Sequence, residues 1–476
     1  SVYQKWKNQK ISPKEYLNYC ITQHWIDISQ LNVDEKYADS TEVYDALCKY
    51  ILKNIKTDTE FSKIIYQYKI TRREISPRQL CLILFDQGVL DYDDATVNKL
   101  KNGSLSPRDF LMKKIYNIEI TPAQLALEPC IGSCVVTDEK TGEIRAMVTY
   151  PGYDSNKLAN GVDSEYFASL QHDKSSPLLN YATQQKTAPG STFKLVSATA
   201  GLAENVITTS DQIRCTGIYN DISNKPKCWI YPGSHGLDNV FEAIRDSCNV
   251  FFYTDGNRLA QKKTGSYNDA NGIDLIQKYA HIYGLDQKTG LEISESKSSV
   301  ATKYPVMAAI GQSDNNYTTV ALSRYVTAVA SGKKYNYQLM NKIVDADGKT
   351  VKKYKADYED ISDTLTSSQW DAIHSGMREV VSTMDRFQGF DIPVAGKTGT
   401  AQQDGHANHG LFVGYAPYDD PEITIAVRIA NGYNSHNAAT AARNVISYYY
   451  KETSMKDIKE MKAAGANGNI RNSVAD

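Results

Sequence analysis

Residues 189–194 read Pro189-Gly190-Ser191-Thr192-Phe193-Lys194. On a helix, positions i and i+3 share a face, so Lys194 lies beside the Ser191 hydroxyl and can take its proton. Gly190 lets the chain turn sharply before the helix, and a helix N-terminus favours a developing negative charge. The stretch reads as an activated serine with a lysine base. Two shorter runs follow it in the chain, Ser247-Cys248-Asn249 and Lys397-Thr398-Gly399-Thr400. Each is weak alone, and Lys140-Thr141-Gly142 shows how easily the last one recurs. A serine that merely caps a helix, with a solvated lysine one turn on, does not account for all three in order.

Around these runs the texture of the chain changes. The first 125 or so residues read as helical. Four helix starts share one design: Ile11-Ser12-Pro13, Ile75-Ser76-Pro77, Leu105-Ser106-Pro107 and Ile120-Thr121-Pro122. Each places a hydroxyl N-cap before a proline at the first helical position. Glu15, Gln79 and Gln124, three residues after their caps, complete capping boxes, and Asp109 holds the same place in the third start. No catalytic constellation lies in this region, whose expected role is spacing, docking or packing.

Residues 131–138 and 143–150 are rich in Val, Ile and Thr around Lys140-Thr141-Gly142, which predicts a β-hairpin. From about 160 to 390 the reading is mainly helical, with Gly/Asn/Lys loops. Strands are expected again over 392–400, 410–416 and 422–430, then a helix over 438–450. A hairpin at one end of a domain and three strands at the other can close one antiparallel sheet with helices on its faces. The fold class is therefore α+β: a helical region over 1–125, then one domain over 126–476. Residues 463–476 have the small, polar composition of a frayed terminus.

The chain has 476 residues, 41% hydrophobic, enough for more than one buried core. A net charge of −2 gives no basic footprint for nucleic acid. No apolar run of about 18 residues is present to span a membrane. The chain starts at Ser1 without a leader pattern and reads as a mature or excised fragment, with an anchor upstream left open. Eight cysteines occur, none in a Cys-x2-Cys pair, so the zinc-ribbon pattern is missing. Buried free thiols are the plain reading, and a Cys215–Cys228 disulfide across the Asn224-Lys225-Pro226 loop is the alternative. Cys130 and Cys134, four strand steps of about 3.3 Å apart, lie beyond disulfide reach if both sit on one strand.

The flanks of the three runs resemble one family. Thr137 to Val148, then Tyr150-Pro151-Gly152-Tyr153-Asp154, look like the opening of a class B penicillin-binding protein transpeptidase domain. Asn180-Tyr181-Ala182-Thr183-Gln184 and Ala188 to Lys194 resemble its nucleophile segment. Asp246-Ser247-Cys248-Asn249 with Phe251, Phe252 and Tyr253 resembles its second motif. Ala309-Ile310-Gly311-Gln312 resembles its Ile-Gly-Gln stretch, and Gly396 to Gln402 its third motif. The resemblance runs from about Ile131 to Tyr450.

It implies a peptidoglycan D,D-transpeptidase on the extracytoplasmic face of the bacterial membrane, blocked by β-lactams. Implied partners are stem peptides and cell-wall elongation or division proteins. Ser191 attacks the D-Ala-D-Ala carbonyl, and an amine from a neighbouring stem peptide resolves the acyl-enzyme. Lys194 is the base, its pKa lowered by burial and by Lys397. Ser247 relays a proton to the leaving amine, and Asn249 holds Lys194 and the substrate amide. The N–H groups of Ser191 and Thr400 form the oxyanion hole. Thr398 and Thr400, beside Gly399, bind the terminal carboxylate, with Lys397 supplying charge. The chemistry needs no cofactor.

The chain departs from the family in three places. The Gly-Arg-Gly and Asp-Arg-Asn-Gly patterns of the N-terminal pedestal are missing, so the helical region is either a remnant of it or an insertion. No glycosyltransferase motif precedes the domain, which argues against a bifunctional class A protein. After the third motif, Asp404-Gly405-His406-Ala407-Asn408-His409 crowds one carboxylate and two imidazoles. With a thiolate from Cys248 across the cleft, Asp404, His406 and His409 are a candidate set for a structural zinc; a solvated loop is the alternative. The rival functions are a serine β-lactamase and a β-lactam sensor domain. Against the first stands the lack of a Glu-x-x-Leu-Asn run after Asn249 to place a deacylating water. Against the second stand Ile310-Gly311-Gln312 and the long helical region.

Overall fold

Serine caps start the first helices as their sequences require. In the computed structural model, Ser12 Oγ accepts from Glu15 N–H at 3.2 Å while the Glu15 carboxylate accepts from Ser12 N–H at 2.7 Å. Ser76 and Gln79 do the same, and Ser106 caps without the return bond. The structure describes residues 1–459 apart from 32, 34–39, 73, 118, 121–124, 126–130, 174 and 404–406. The start at Thr121 and the frayed terminus over 463–476 lie outside the described residues.

The chain divides into two compact units, Ser1–Glu128 and Pro129–Asp476. Described helices of the first unit are Val2–Lys7, Pro13–Thr22, Ser40–Ile55, Thr59–Thr71, Pro77–Asp86, Asp94–Asn102 and Pro107–Tyr116. Its larger apolar cluster gathers Cys81, Leu84, Phe85, Val97, Leu100 and Phe110.

The second unit is built on a five-stranded antiparallel sheet. Its strands are β1 (Ile131–Asp138), β2 (Ile144–Tyr150), β3 (Ala395–Ala401), β4 (His409–Ala416) and β5 (Ile423–Ala430). The spatial order is β3-β4-β5-β1-β2. β1 and β5 pair along their full length, Ile131 opposite Ala430 and Asp138 opposite Ile423, so the two ends of the domain close one sheet. β5, mostly Ile, Val and Ala with Thr424 and Arg428 among them, is almost wholly buried in the middle of a covered sheet, whereas edge strand β2 leaves Ala146, Val148 and Tyr150 exposed.

Four helices matter below: α1 (Lys194–Ala203), α2 (Asn249–Gln261), α3 (Asp269–Ile282) and α4 (Thr319–Ser331). α4 lies on one face of the sheet and is buried from Thr319 to Val329. It meets the strands through hydroxyl pairs as well as apolar contact: Ser133–Thr319 at 2.7 Å, Thr137–Ser323 at 2.9 Å and Thr327–Thr424 at 2.6 Å. Such buried hydroxyls are tolerable because each is paired. Buried Arg324 of α4 donates to the carbonyls of Gly284, Gln287 and Lys288, satisfying acceptors just past the end of α3. No described helix is long and apolar enough to cross a membrane.

The stretch expected to be helix and loop also holds four two-stranded ladders. These are Lys186–Thr187 with Tyr317–Thr318, Ile213–Cys215 with Gly236–Asp238, Lys333–Tyr335 with Tyr358–Asp360, and Lys342–Val344 with Thr350–Lys353. They are too short to show an alternating pattern, so the sequence carries no period-two signal for them.

Asp255 of α2 is fully buried against Gly201, and neither carboxylate oxygen has a hydrogen-bond partner. Burial raises its pKa well above the ordinary value, against a small opposing pull from Arg258. A raised folded pKa means that stability is greatest below the unfolded pKa and falls as pH rises through the folded value. Asp255→Val should therefore stabilise the chain by about 1–3 kcal/mol at pH 7.5 and by less at pH 4.5. Thermal or urea melts at the two pH values measure this, and a gain independent of pH would refute it.

Candidate active site

The turn that carries Ser191 is held from both sides. Residues Gly190–Phe193 form a short 3-10 turn that runs into α1. Gly190 has φ +52°, and its N–H donates to the Gly311 carbonyl at 3.2 Å. A Cβ on Gly190 would stand 2.6 Å from the Thr400 carbonyl, and one on Gly311 2.0 Å from the Gly190 carbonyl. Only glycines allow this approach, which presses the turn carrying Ser191 against β3 on one side and the Ile310-Gly311-Gln312 stretch on the other. Thr192 Oγ1 donates to the Pro189 carbonyl at 2.8 Å, and Tyr325 Oη of α4 donates to the Thr192 carbonyl at 2.9 Å.

Lys194 is fully buried. Its Nζ donates to Asn249 Oδ1 at 2.6 Å, the Ser247 carbonyl at 2.7 Å and Ser247 Oγ at 3.2 Å. The first two motifs, far apart in sequence, thus meet at the Lys194 side-chain nitrogen. Ser247 holds φ +52°, a strained conformation for serine that aims both its carbonyl and its hydroxyl at Lys194. Lys397 is buried on β3, and Thr398, Gly399 and Thr400 follow along the same edge strand. Thr400 Oγ1 is buried without a hydrogen-bond partner.

These elements enclose a cleft of about 530 Å³ lined by Ser191, Ser247, Asn249, Gln312 and Thr400, with Lys225, Lys227 and Trp229 over it from the loop after Cys215. Trp229 Nε1 donates to the Asp246 carbonyl at 3.0 Å, tying that loop to the second motif. Nothing in the sequence marked Lys225, Lys227 or Trp229, because a lid-like loop has no period and no motif.

The zinc set expected from sequence is not assembled among the described residues. Asp404 and His406 lie outside them. His409 opens β4, where burial and then the Arg428 cation hold its imidazole down to about 4. Its Nδ1 accepts from Asn431 N–H at 3.3 Å, so that nitrogen is engaged with the backbone. Cys248 instead joins Cys215, Cys228 and His235, whose donor atoms all lie within 4.8 Å of one another. The reason is topological: Cys248 is the N-cap of α2 and points beneath the second motif, not across the cleft. The thiols are free, so Cys215 and Cys228 form no disulfide. Hydrogen bonding by Cys248 draws the Cys228 thiol down to about 3 against the opposing effect of burial, with His235 adding to it. His235 Nδ1 is 3.7 Å from Cys228 Sγ. The separations Cys215, Cys228, His235 and Cys248 contain no short ligand pair, which is why the sequence hid them.

Residues 132–447 match the penicillin binding protein transpeptidase domain. The chain belongs to that family. Haemophilus influenzae peptidoglycan D,D-transpeptidase MrdA is 30% identical over an alignment of 362 residues that covers 67% of this chain and 53% of the relative. The chain thus spans about half the length of that curated relative. Among solved structures, a ceftriaxone acyl-enzyme of penicillin-binding protein A from M. tuberculosis aligns at a TM-score of 0.59 and 23% identity, covering 67% of this chain and 74% of the other. A chain from a peptidoglycan synthase complex that coordinates polymerization and crosslinking aligns at 0.60 and 28%, covering 68% and 56%. The matched region leaves out the first helical unit. Within it the fold is that of penicillin-recognising transpeptidases.

Proposed function

We propose that this chain carries the cross-linking activity of a peptidoglycan D,D-transpeptidase. The observation that carries the reading is Lys194 Nζ bonded at once to Ser247 and Asn249 in the cleft that holds Ser191 and Thr400. Ser191 Oγ attacks the penultimate D-Ala carbonyl as Lys194 takes its proton. Ser247, bonded to Lys194, passes a proton to the departing D-Ala amine. The N–H groups of Ser191 and Thr400 receive the oxyanion. Thr398, Thr400 and Lys397 hold the terminal carboxylate, and the unpartnered Thr400 hydroxyl is a donor ready for it. A stem-peptide amine then takes the acyl group.

The same serine would be acylated by β-lactams. A transpeptidase gains by excluding water from the acyl-enzyme, whereas a β-lactamase must position one. The expected result is a single penicilloyl adduct per chain that persists far longer than it takes to form, followed by intact-protein mass spectrometry after free drug is removed. Multiple rapid turnovers of a chromogenic cephalosporin would replace this reading with the β-lactamase. Kinship with MrdA and with a synthase-complex chain supports work at the extracytoplasmic face of the membrane beside cell-wall elongation or division proteins; the first helical unit, outside the matched region, serves in this proposal as a spacing or docking element.

A structural zinc is part of this reading, moved to Cys215, Cys228, His235 and Cys248. Three thiols and an imidazole are a zinc donor set, and the lowered pKa of the Cys228 thiol suits a thiolate ligand. Asn249 N–H donates to Cys228 Sγ at 3.3 Å and Phe251 N–H to Cys248 Sγ at 3.5 Å, so a metal there would brace the turn that presents Ser247 and Asn249 to Lys194. A metal held there would cross-link the fold and take no step in the reaction.

A further inference from the structure

A second groove of about 850 Å³ adjoins the catalytic cleft, and the two share Asn224 and Met307 as common walls. It runs between the 221–224 loop, α2, the start of α3 and the turn at Tyr304. Its floor is apolar, with Val306 and Ile222, and amides of Asn257 and Gln261 stand on its α2 side. Tyr304 holds φ +55°, a conformation rare for a bulky residue, and leaves its ring more than half exposed at the groove.

The two spaces differ in charge. The described lining of the catalytic cleft contains Lys225 and Lys227 and no carboxylate. The lining of the groove contains Asp221 and Asp269 and no lysine or arginine. Asp269 accepts from Tyr267 Oη at 2.6 Å, and neither aspartate is ion-paired among the described residues. A donor strand ending in a carboxylate suits the first environment, and a chain bearing an ammonium suits the second.

Resting on the transpeptidase reading above, we infer that this groove is the acceptor subsite, which takes a peptide carrying a free side-chain amine and directs that amine to the Ser191 ester. Asp221 and Asp269 are positioning residues that raise the local concentration of the cationic acceptor. The chain arrives as an ammonium and releases one proton to water. The neutral amine attacks the ester carbonyl, the C–N bond forms, and the C–O bond to Ser191 breaks. The second amine proton passes by way of Lys194 to Ser191 Oγ, which restores the free serine. Asn224 and Met307 lie where the acceptor would cross from one space to the other.

The test uses the full chain, a D-alanyl thioester donor without a free amine, and a tripeptide with an unblocked lysine side chain as acceptor. Asp221→Asn with Asp269→Asn should raise the acceptor KM about tenfold while leaving penicillin acylation, thioester hydrolysis and amide-forming kcat unchanged. Added salt should raise the wild-type acceptor KM and leave that of the double variant nearly flat, a difference that a merely structural role would not produce. An unchanged acceptor KM overturns the assignment. A parallel fall in thioester acylation overturns it in favour of a donor subsite. If the wild type is acylated but yields no amide with any acceptor, the transpeptidase reading itself fails, and the subsite with it.

Discussion

Ser191→Ala should leave no penicilloyl adduct, and Lys194→Arg should slow acylation about a thousandfold, the scale of a lost general base. Lys194 is fully buried with Nζ bonded to Asn249 Oδ1 and to both oxygens of Ser247, so its nitrogen is fixed at one point beside the nucleophile turn. A guanidinium does not deprotonate in proteins and cannot take the Ser191 proton, whatever geometry it finds. Lys397 is also buried, but its proposed part is to supply charge to a carboxylate, which arginine still supplies. Lys397→Arg should therefore keep a measurable fraction of the acylation rate, with melting curves to confirm that both variants fold. The reading is adduct formation against time by intact-protein mass. An adduct of full yield in Ser191→Ala, or equal losses at the two lysines, would dismantle the assignment of roles.

The candidate site was legible because its residues obey local rules. Ser191 and Lys194 are one turn apart, and a helix start places them together without reference to the rest of the fold. The Ser-x-Asn and Lys-Thr-Gly runs carry their own turn and strand, so their identity survives in a one-dimensional reading. The strands of the main sheet were equally plain, since β1 and β5 are rich in Ile, Val and Thr. Their mutual pairing followed from having a hairpin at one end of the domain and strands at the other.

What escaped was long-range and had no period. Cys248 looked like a residue facing the cleft because its neighbours Ser247 and Asn249 do. Yet adjacent residues at a helix N-cap point in different directions, and the thiol caps α2 from below. Its partners come from the 213–215 strand and the loop that crosses back over it, and no spacing rule links them. The orphan carboxylate of Asp255 was hidden for the same reason: a helical pattern shows which face is inward, but not whether a polar residue there finds a partner.

The second large effect is expected at that cysteine cluster. Purified chain should hold about one zinc, and Cys228→Ala with His235→Ala should lose it, lowering the melting temperature and slowing penicillin acylation by about 10–100-fold, the range seen when support around a metal-held site is removed. The cause is the coupling between the thiols and the second motif. Asn249 N–H rests on Cys228 Sγ, Phe251 N–H rests on Cys248 Sγ, and Asn249 with Ser247 in turn holds Lys194. Without metal, three buried thiols and a half-buried imidazole are left together, and the strained φ of Ser247 has less to hold it. Chelation of the wild type should reproduce the variant, and restored zinc should recover both melting temperature and acylation. His406→Ala with His409→Ala should keep the metal, since Cys248 is committed elsewhere. Metal-free protein that melts and reacts as the untreated chain does would show that the four donors are only packed thiols, whereas metal lost from the His406 and His409 variant would move the site to the loop after the third motif.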